Sequence, residues 1–366
     1  MPMGNRTLGK STETRPSSKY LLSDDSGPPT LKDIAQLSGL AVPTVSRALS
    51  GASDIGLKTR ERVRKIADEI GYVPNRAGLR LRTGKTNVIA VLMPSDLEGM
   101  NYSSEYVASI AAGLRETQYN LILTPFFPDQ DLMRPIRNIV RTRSADAIIV
   151  NQTREYDERV RYLMEQDFPF VTHGRSKWAD QHPYLDFDNF EFIRLASRKL
   201  RQKGRRSLLL ITPHQAQNYA QNMISGARVA AKEQDIKIEI VEEPSNQDGS
   251  LSLKNIVNKT LTGRSSIDGI ISCTVMTTVH LLPILSELGK NVGSDIDVCA
   301  KERFPFFSLI RPDVLTVRED LTQAGSFLAK AALHAIEHPK DPPLQLLVTP
   351  EQEDDDQINS LSPECP

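Results

Sequence analysis

Cysteine is scarce: Cys273, Cys299 and Cys365 are the only three in 366 residues. An odd number spread this widely builds neither a disulfide framework nor a metal cluster, so the expected compartment is the reducing cytoplasm. Long apolar runs are missing too. No stretch approaches the ~20 apolar residues of a membrane span, and the N-terminus has no signal-peptide core, which predicts no membrane partner. The motifs of common enzyme chemistries are also absent. There is no P-loop, nucleophile elbow, glycine-rich dinucleotide fingerprint or metal-spaced His/Cys set. The six histidines, at 173, 182, 214, 280, 334 and 338, are scattered. The expectation is a protein that is not an enzyme and uses no cofactor or metal.

Net charge is nearly absent, at −1, but its distribution is uneven. Between Thr30 and Thr86 stand eleven bases (Lys32, Arg47, Lys58, Arg60, Arg62, Arg64, Lys65, Arg76, Arg80, Arg82, Lys85) against five acids (Asp33, Asp54, Glu61, Asp68, Glu69). After Pro350 the balance reverses, with Glu351, Glu353, Asp354, Asp355, Asp356 and Glu364 and no base. A basic block beside a neutral body is the electrostatic footprint of a nucleic-acid reader, although a solvated helix face gives the same count.

Residues 1–29 are rich in Ser, Thr, Pro and Gly without apolar periodicity and read as a disordered tail, as does the acidic segment 351–366. Residues 30–73 carry three short helical patterns, and 74–86 link them to the rest of the chain. From 87 to 350, apolar strands alternate with amphipathic helices. Strands are expected at Val88–Met93, Asn120–Thr124, Ala147–Val150, Phe168–Thr172, Ser207–Thr212, Lys237–Val241, Gly269–Ser272, Ile296–Cys299 and Val314–Val317. Helix-length segments such as Ser104–Thr117 and Asn218–Gln234 separate them. That rhythm predicts an α/β body of parallel sheets covered by helices, and nine strands suit two doubly wound lobes better than one sheet. Ligands of such sheets sit at the strands' carboxyl ends, here between the lobes.

In the first segment, Thr30-Leu-Lys-Asp33 has capping-box spacing, with Thr30 as cap. Leu31, Ile34, Ala35 and Leu37 give an apolar face, and Gly39 stands where the chain must turn. A second helix runs through Pro43-Thr-Val-Ser-Arg-Ala-Leu49, with Pro43 in the first turn where its missing N–H costs nothing. Val45, Ala48 and Leu49 can pack inward, leaving Val42, Pro43, Thr44, Ser46 and Arg47 outside. A third helix near Leu57–Ile70 closes the core through Val63, Ile66 and Ile70. An exposed helix bearing hydroxyls and a guanidinium suits a major groove: hydroxyls reach phosphates and arginine can take guanine O6 and N7 together. A generic three-helix domain would share the shape.

The runs TLKDIAQLSGLAVPTVSRALSG and TRERVRKIADEIGYVPNRAGLRLRTGKTNVIAVLMP resemble the N-terminus of the lactose-repressor/galactose-repressor (LacI/GalR) family. With the β-α layout behind them, the resemblance covers about residues 30–348. It implies a three-helix helix-turn-helix headpiece and a hinge helix, followed by a two-lobed effector domain like periplasmic sugar-binding proteins. It places Val42 and Pro43 where the family sets base preference, Arg47 at the arginine of TVSR for base contact, and Thr44 and Ser46 on phosphates. Thr30 joins the DNA-contacting set. Asn75 and Arg76 begin the hinge, and Leu81 matches the leucine that wedges a base step from the minor groove. Gly78 stands where relatives often carry alanine; glycine weakens a helix by roughly 1 kcal/mol, so the hinge is expected to become helical only on operator DNA.

The effector domain departs from better-known relatives. An arginine usual after the second lobe's first strand is replaced by Asn218-Tyr-Ala-Gln-Asn-Met223, the usual Asn-Asp by Cys273-Thr274-Val275, and a common aspartate by Lys301. The segments NQT (151–153), HGR (173–175), DFDN (186–189) and YAQNM (219–223) resemble regulators of alpha-glucoside use. Position at strand ends nominates Asn101, Tyr102, His173, Arg175, Gln221, Asn222, Thr274 and Lys301 for the pocket, with Trp178 as a surface for a sugar ring. Asp188 is read as a helix cap. Together these imply a homodimer on palindromic double-stranded operator DNA, without family-type C-terminal leucine heptads for tetramers, repressing carbohydrate genes and switched by a small sugar-type effector. A solute-binding protein of a sugar transporter is the alternative, and induction or corepression is left open.

Overall fold

The computed structural model describes residues 28–73, 80, 84–94, 97–127, 130–244, 249–263, 266–303 and 305–350. The tails expected at 1–29 and 351–366 lie outside them but for residues 28 and 29. The expected hinge helix, with Asn75, Arg76, Gly78 and Leu81, also falls outside; within that segment Arg80 is described, helical and exposed. The chain divides into two compact units, Met1–Lys85 and Thr86–Pro366.

The first unit holds α1 (Leu31–Ser38), α2 (Val42–Leu49) and α3 (Leu57–Glu69). Helix α1 begins in a capping box: the Thr30 N–H and hydroxyl both donate to the Asp33 carboxylate, at 2.7 and 2.8 Å. It ends at Gly39, whose φ of 68° lets the chain reverse into α2 at no steric cost. Ile34, Val45, Ala48, Val63, Ile66 and Ala67 are buried together, with Leu31, Leu37, Leu49, Ile55, Ile70 and Tyr72 packed around them. Each helix contributes one apolar stripe, so none can bury its face without the other two.

The second unit is built on two all-parallel sheets. One contains β1 (Val88–Pro94), β2 (Asn120–Phe126), β3 (Ala147–Val150), β4 (Phe170–His173), β5 (Tyr184–Phe187) and β11 (Gln345–Val348), in the order β11-β5-β4-β3-β1-β2. The other contains β6 (Ser207–Thr212), β7 (Lys237–Glu242), β8 (Gly269–Ser272), β9 (Asp297–Glu302) and β10 (Leu315–Arg318), in the order β10-β9-β8-β6-β7. The central strands β1, β3, β8 and β9 are buried along their whole length, as parallel strands covered on both faces must be. Strands β5 and β11 were not expected from the sequence. Each has four residues and exists through its pairing, β5 with β4 and β11 with β5.

The covering helices are α4 (Leu97–Gly113), α5 (Met133–Thr142), α6 (Glu158–Glu165), α7 (Asn189–Gln202), α8 (Asn218–Glu233), α9 (Gly249–Thr262), α10 (Val275–Glu287), the short α11 (Phe306–Ile310) and α12 (Leu321–Glu337). Helix α4 starts earlier than the expected Ser104 and stops at Gly113. Helices α4 and α12 approach closely because they meet at glycines. A Cβ on Gly325 would lie 2.6 Å from the Ile110 nitrogen, and one on Gly113 2.7 Å from the Ala329 Cβ. Since α12 packs on the first sheet, the chain runs from the first lobe to the second at Phe187–Asn189 and back at Arg318–Leu321.

Candidate functional site

On the first unit, α2 presents one side outward. Val45 and Ala48 are buried, Thr44, Ser46 and Leu49 half-buried, and Val42, Pro43 and Arg47 exposed. Its N-cap is Ala41, so no side chain occupies the first-turn N–H groups, and that end stays open to an acceptor such as a phosphate oxygen. The Arg47 guanidinium pairs with Asp54, and both side chains remain about half exposed. Thr30 is exposed, but its hydroxyl proton is committed to Asp33, whose carboxyl is held below the usual range by that bond. Arg62 reaches back to donate to the Ser38 carbonyl at 2.9 Å, tying α3 to the end of α1.

In the second unit, the carboxyl ends of both sheets enclose a cavity of about 480 Å³, within the usual range for a small-molecule site. Asn151, Thr153, His173, Gly174, Asp186 and Phe187 reach it from the first lobe. Tyr219, Cys273, Thr274, Lys301, Arg303 and Glu319 reach it from the second. Every one sits at or just beyond a strand's carboxyl end, or at the start of the helix that follows, because the strands are parallel and the chain can leave the sheet only there.

Two networks shape the walls. In the first lobe the buried Tyr106 hydroxyl donates to Asn151 Oδ1 at 2.9 Å, and Thr153 Oγ1 donates to the His173 carbonyl at 3.1 Å. The His173 ring stacks on Tyr106 with centroids 5.2 Å apart. Burial brings the His173 imidazole down to about 4, with Arg303 and Lys301 adding to the effect and Glu319 opposing it. At neutral pH His173 is therefore uncharged, with one nitrogen to donate and one to accept.

The second network is ionic. Lys301 Nζ lies 2.9 Å from Glu319 Oε2 and donates to Asn189 Oδ1 at 3.0 Å. It also stands 4.8 Å from the Phe187 ring centroid, and Arg303 approaches the same Glu319 oxygen at 3.8 Å. Burial alone would push the Glu319 carboxyl up, but the Lys301 and Arg303 charges overcome it and hold Glu319 at about 2. Asp186 shows the opposite balance: burial raises it to about 6, although Arg175 pairs with it at 2.8 Å. Asn218 ties the second lobe to the first: its N–H donates to the Thr153 carbonyl at 3.0 Å and its side chain donates to the Arg175 carbonyl at 2.7 Å.

Of the residues nominated from the sequence, His173, Thr274 and Lys301 line this cavity. Arg175 stands behind the wall, paired with Asp186, and Trp178 packs on the core around Val160 and Leu163. Gly174, at φ 110°, turns the chain away from the cavity between His173 and these two. Gln221 is exposed, and Asn222 is half-buried outside the lining. Asn101 and Tyr102 fall on α4, where their side chains lie outside the described ones. Asp188 caps α7, accepting from the Glu191 N–H at 3.0 Å. Asp186, Asn189, Arg303 and Glu319 were not singled out. The segment DFDN pointed at the first two, but nothing local marked Glu319. Among the described residues no His, Cys, Asp or Glu group is placed to hold a metal, and no helix is long and apolar enough to cross a membrane.

A helix-turn-helix unit with an outward-facing second helix, joined to a two-lobed α/β body around a cavity of small-molecule size, defines a DNA-binding regulator of the ligand-controlled class. Residues 30–75 match the bacterial regulatory proteins of the lacI family. Residues 86–254 match the periplasmic binding proteins and sugar binding domain of the LacI family, and 198–352 a periplasmic binding protein-like domain. The chain is 30% identical over 233 residues to the transcriptional regulator RafR of Escherichia coli, covering 63% of this chain and 69% of that protein. It is 27% identical over 332 residues to the regulator AglR of Rhizobium meliloti, covering 87% and 91%. The chain belongs to the lacI family of bacterial transcription regulators. Its fold is that of a lac repressor dimer bound to operator and an anti-inducer (TM-score 0.72, 19% identity, 89% of this chain and 97% of that one). The regulator CelR in complex with cellobiose also shares it (TM-score 0.65, 20% identity, 88% and 98%).

Proposed function

We propose that this regulator represses genes of carbohydrate use and releases its operator when a small sugar binds in the cavity between the lobes. The observation that carries this reading is the cavity wall: uncharged His173, Asn151 and Thr153 face the Lys301–Glu319 pair, with Tyr219 and Phe187 as apolar surface. Hydroxyl-rich ligands need such interleaved donors and acceptors beside flat apolar faces. The similarity to AglR, and the segments that resemble regulators of alpha-glucoside use, make alpha-glucosides the first ligands to test.

In this reading 30–73 is the DNA-reading domain, 74–86 the hinge, and 87–350 the effector-binding and dimerisation body, with tails on either side. Two headpieces of a homodimer meet a palindromic site, since two-fold symmetry demands matching half-sites. Arg47 reads a base, Val42 and Pro43 contact thymine methyl groups or groove shape, and Thr30, Thr44 and Ser46 stand at the backbone. Asn75, Arg76 and Leu81 act in the hinge. His173, Thr274 and Lys301 contact the effector directly, and Arg175 positions Asp186. Trp178, packed on the first lobe's core, and exposed Gln221 make no direct effector contact in this reading, while Asn101, Tyr102 and Asn222 stay as candidates for the cavity's edge. The ligand shifts operator affinity only by its preference for one lobe arrangement, so a useful switch needs a difference of a few kcal/mol. The protein works in the cytoplasm and carries out no catalysis.

The test is to incubate the purified full chain with sheared genomic DNA from its source, sequence what is retained, and repeat with maltose present. Enrichment of a palindrome near carbohydrate genes that maltose or a related alpha-glucoside abolishes supports the reading. Enrichment that every sugar leaves unchanged refutes the effector assignment, and no retention of DNA favours a solute-binding role instead.

A further inference from the structure

We propose that Asp54 is a positioning residue for DNA reading, holding the Arg47 guanidinium away from phosphates until a matching base takes it. The proposal rests on the reading of Arg47 as a base contact and adds a residue that sets its selectivity.

The geometry begins in the turn after α2. Ala52 N–H donates to the Arg47 carbonyl at 3.0 Å, and the Ser50 hydroxyl donates to the same carbonyl at 3.1 Å. Gly51, at φ 74°, carries the chain round. Ile55 then packs on the headpiece core, and its N–H donates to the Ala52 carbonyl at 3.1 Å. Asp54 is therefore fixed between a turn bonded to Arg47's own backbone and an anchored isoleucine. Its carboxylate meets the Arg47 guanidinium there.

Asp54 has no capping duty to explain its position. The N-cap of α3 is Gly56, and α3 has no side-chain cap. The surrounding unit is rich in cations, with Lys58, Arg60, Arg62, Arg64 and Lys65 on α3 alone. A carboxylate placed against the one guanidinium on the outer face of α2 opposes the general attraction to DNA. Such an acid lowers affinity for every duplex, so a compensating gain must lie elsewhere.

The gain is discrimination. A free guanidinium pairs with any phosphate, and that contact carries no sequence information. Guanine offers O6 and N7 together, and two of arginine's five N–H groups reach them while others stay on the carboxylate. Asp54 thus competes with phosphates for the same donors but not with guanine, and it fixes the plane of the fork as it docks. Removing it raises affinity for non-cognate DNA more than for the cognate site, and the change passes through Arg47. Simple removal of a negative charge would instead raise both affinities in parallel, with or without Arg47.

The experiment selects bound sequences from a randomised duplex library using five full-length proteins: the parent, Asp54→Asn, Asp54→Glu, Arg47→Ala and the double variant that combines Asp54→Asn with Arg47→Ala. Affinities for the selected duplex and a scrambled one are then measured at one salt concentration. The parent is expected to select a palindrome, and Arg47→Ala to lose preference at one base pair of each half-site. Asp54→Asn is expected to lower the ratio of specific to non-specific affinity about three- to tenfold, the scale of one charge pair at an interface. In the Arg47→Ala background the same change should leave the ratio within twofold, and Asp54→Glu should keep most of the parent ratio. An unchanged ratio, or an equal change in both backgrounds, overturns the role of Asp54 while leaving Arg47 in place. If Arg47→Ala alters no base preference, the reading of Arg47 falls, and the proposal with it.

Discussion

Replacing Lys301 by methionine removes the cation that keeps Glu319 ionised in a site where Glu319 is only 6% exposed. In the parent, the interval between about 2 and the ordinary 4.5 for this carboxyl corresponds to roughly 3 kcal/mol of preferential stabilisation of the folded anion. Arg303, at 3.8 Å, remains to hold part of it. The buried Asn189 Oδ1, however, loses the donor it had at 3.0 Å, at a cost of about 1 kcal/mol. The expected loss at pH 7 is about 3 kcal/mol, near the lower end for breaking a buried pair from one side. Its pH dependence has a definite sign. A depressed carboxyl contributes stability that is present above 4.5 and lost as pH falls through 4.5 towards 2. In the variant burial wins, so the folded carboxyl takes up a proton well above 4.5 and the penalty shrinks on acidification. The gap between parent and variant should thus narrow between pH 7 and pH 5. Trp178 is the only tryptophan and lies in the body, so its fluorescence in urea follows this unit. A second change, Glu319→Gln, should restore part of the loss. A deficit under about 1 kcal/mol at pH 7, or one of equal size at both pH values, would refute the electrostatic argument.

Gly325→Ala should force α4 and α12 apart, since the new Cβ meets the rigid Ile110 nitrogen at 2.6 Å. We expect a loss of about 1–3 kcal/mol, visible as a lower melting temperature, and an unchanged midpoint would contradict the close approach. Arg47→Ala should cost about 1–3 kcal/mol of operator binding and relax sequence preference, measured by fluorescence anisotropy on the retained site and its single-base variants. Ile34→Ala opens a cavity in a three-helix core and should cost about 2–5 kcal/mol, more than a unit this small can lose and stay folded. DNA binding should vanish while the Trp178 urea transition stays where it was; retained binding would show that the headpiece core is sturdier than its size implies. Operator affinity should also fall steeply with salt through counterion release, and a flat dependence would argue against phosphate contacts by both headpieces.

The headpiece was legible because its information is local. Helix α2 turns Val45 and Ala48 inward and Arg47 outward by a 3.6-residue period that its eight residues suffice to show. The central strands were legible as apolar runs. Strands β5 and β11 were not. The first places buried Asp186 inside a four-residue segment, and the second is an edge strand with only alternate residues half-buried. Neither has a pattern until its neighbour supplies the pairing. The cavity was legible where a strand ends, as at His173, Thr274 and Lys301. It was lost where a helix phase decides: Tyr219 faces the cavity, and Gln221, two residues on, points some 200° away into solvent. Glu319 needed three dimensions, since Val317-Arg-Glu-Asp-Leu321 gives no sign of which charge turns inward.

The return of the chain to the first lobe has a consequence for synthesis. The first sheet is completed by β11, which ends at Val348 of a 366-residue chain, whereas the second sheet is made wholly of residues 207–318. During translation the headpiece emerges first and needs only its own neighbours. The second lobe comes next as an uninterrupted segment. The first lobe begins earlier than the second, yet must wait with β1 to β5 unfinished until the ribosome has delivered α12 and β11. Its apolar strands are exposed to the nascent chain's surroundings for most of elongation, and domains that close late in this way depend most on chaperones and on the pace of translation. A released chain that stops before Gln345 should therefore hold a folded headpiece and second lobe, but no ligand cavity.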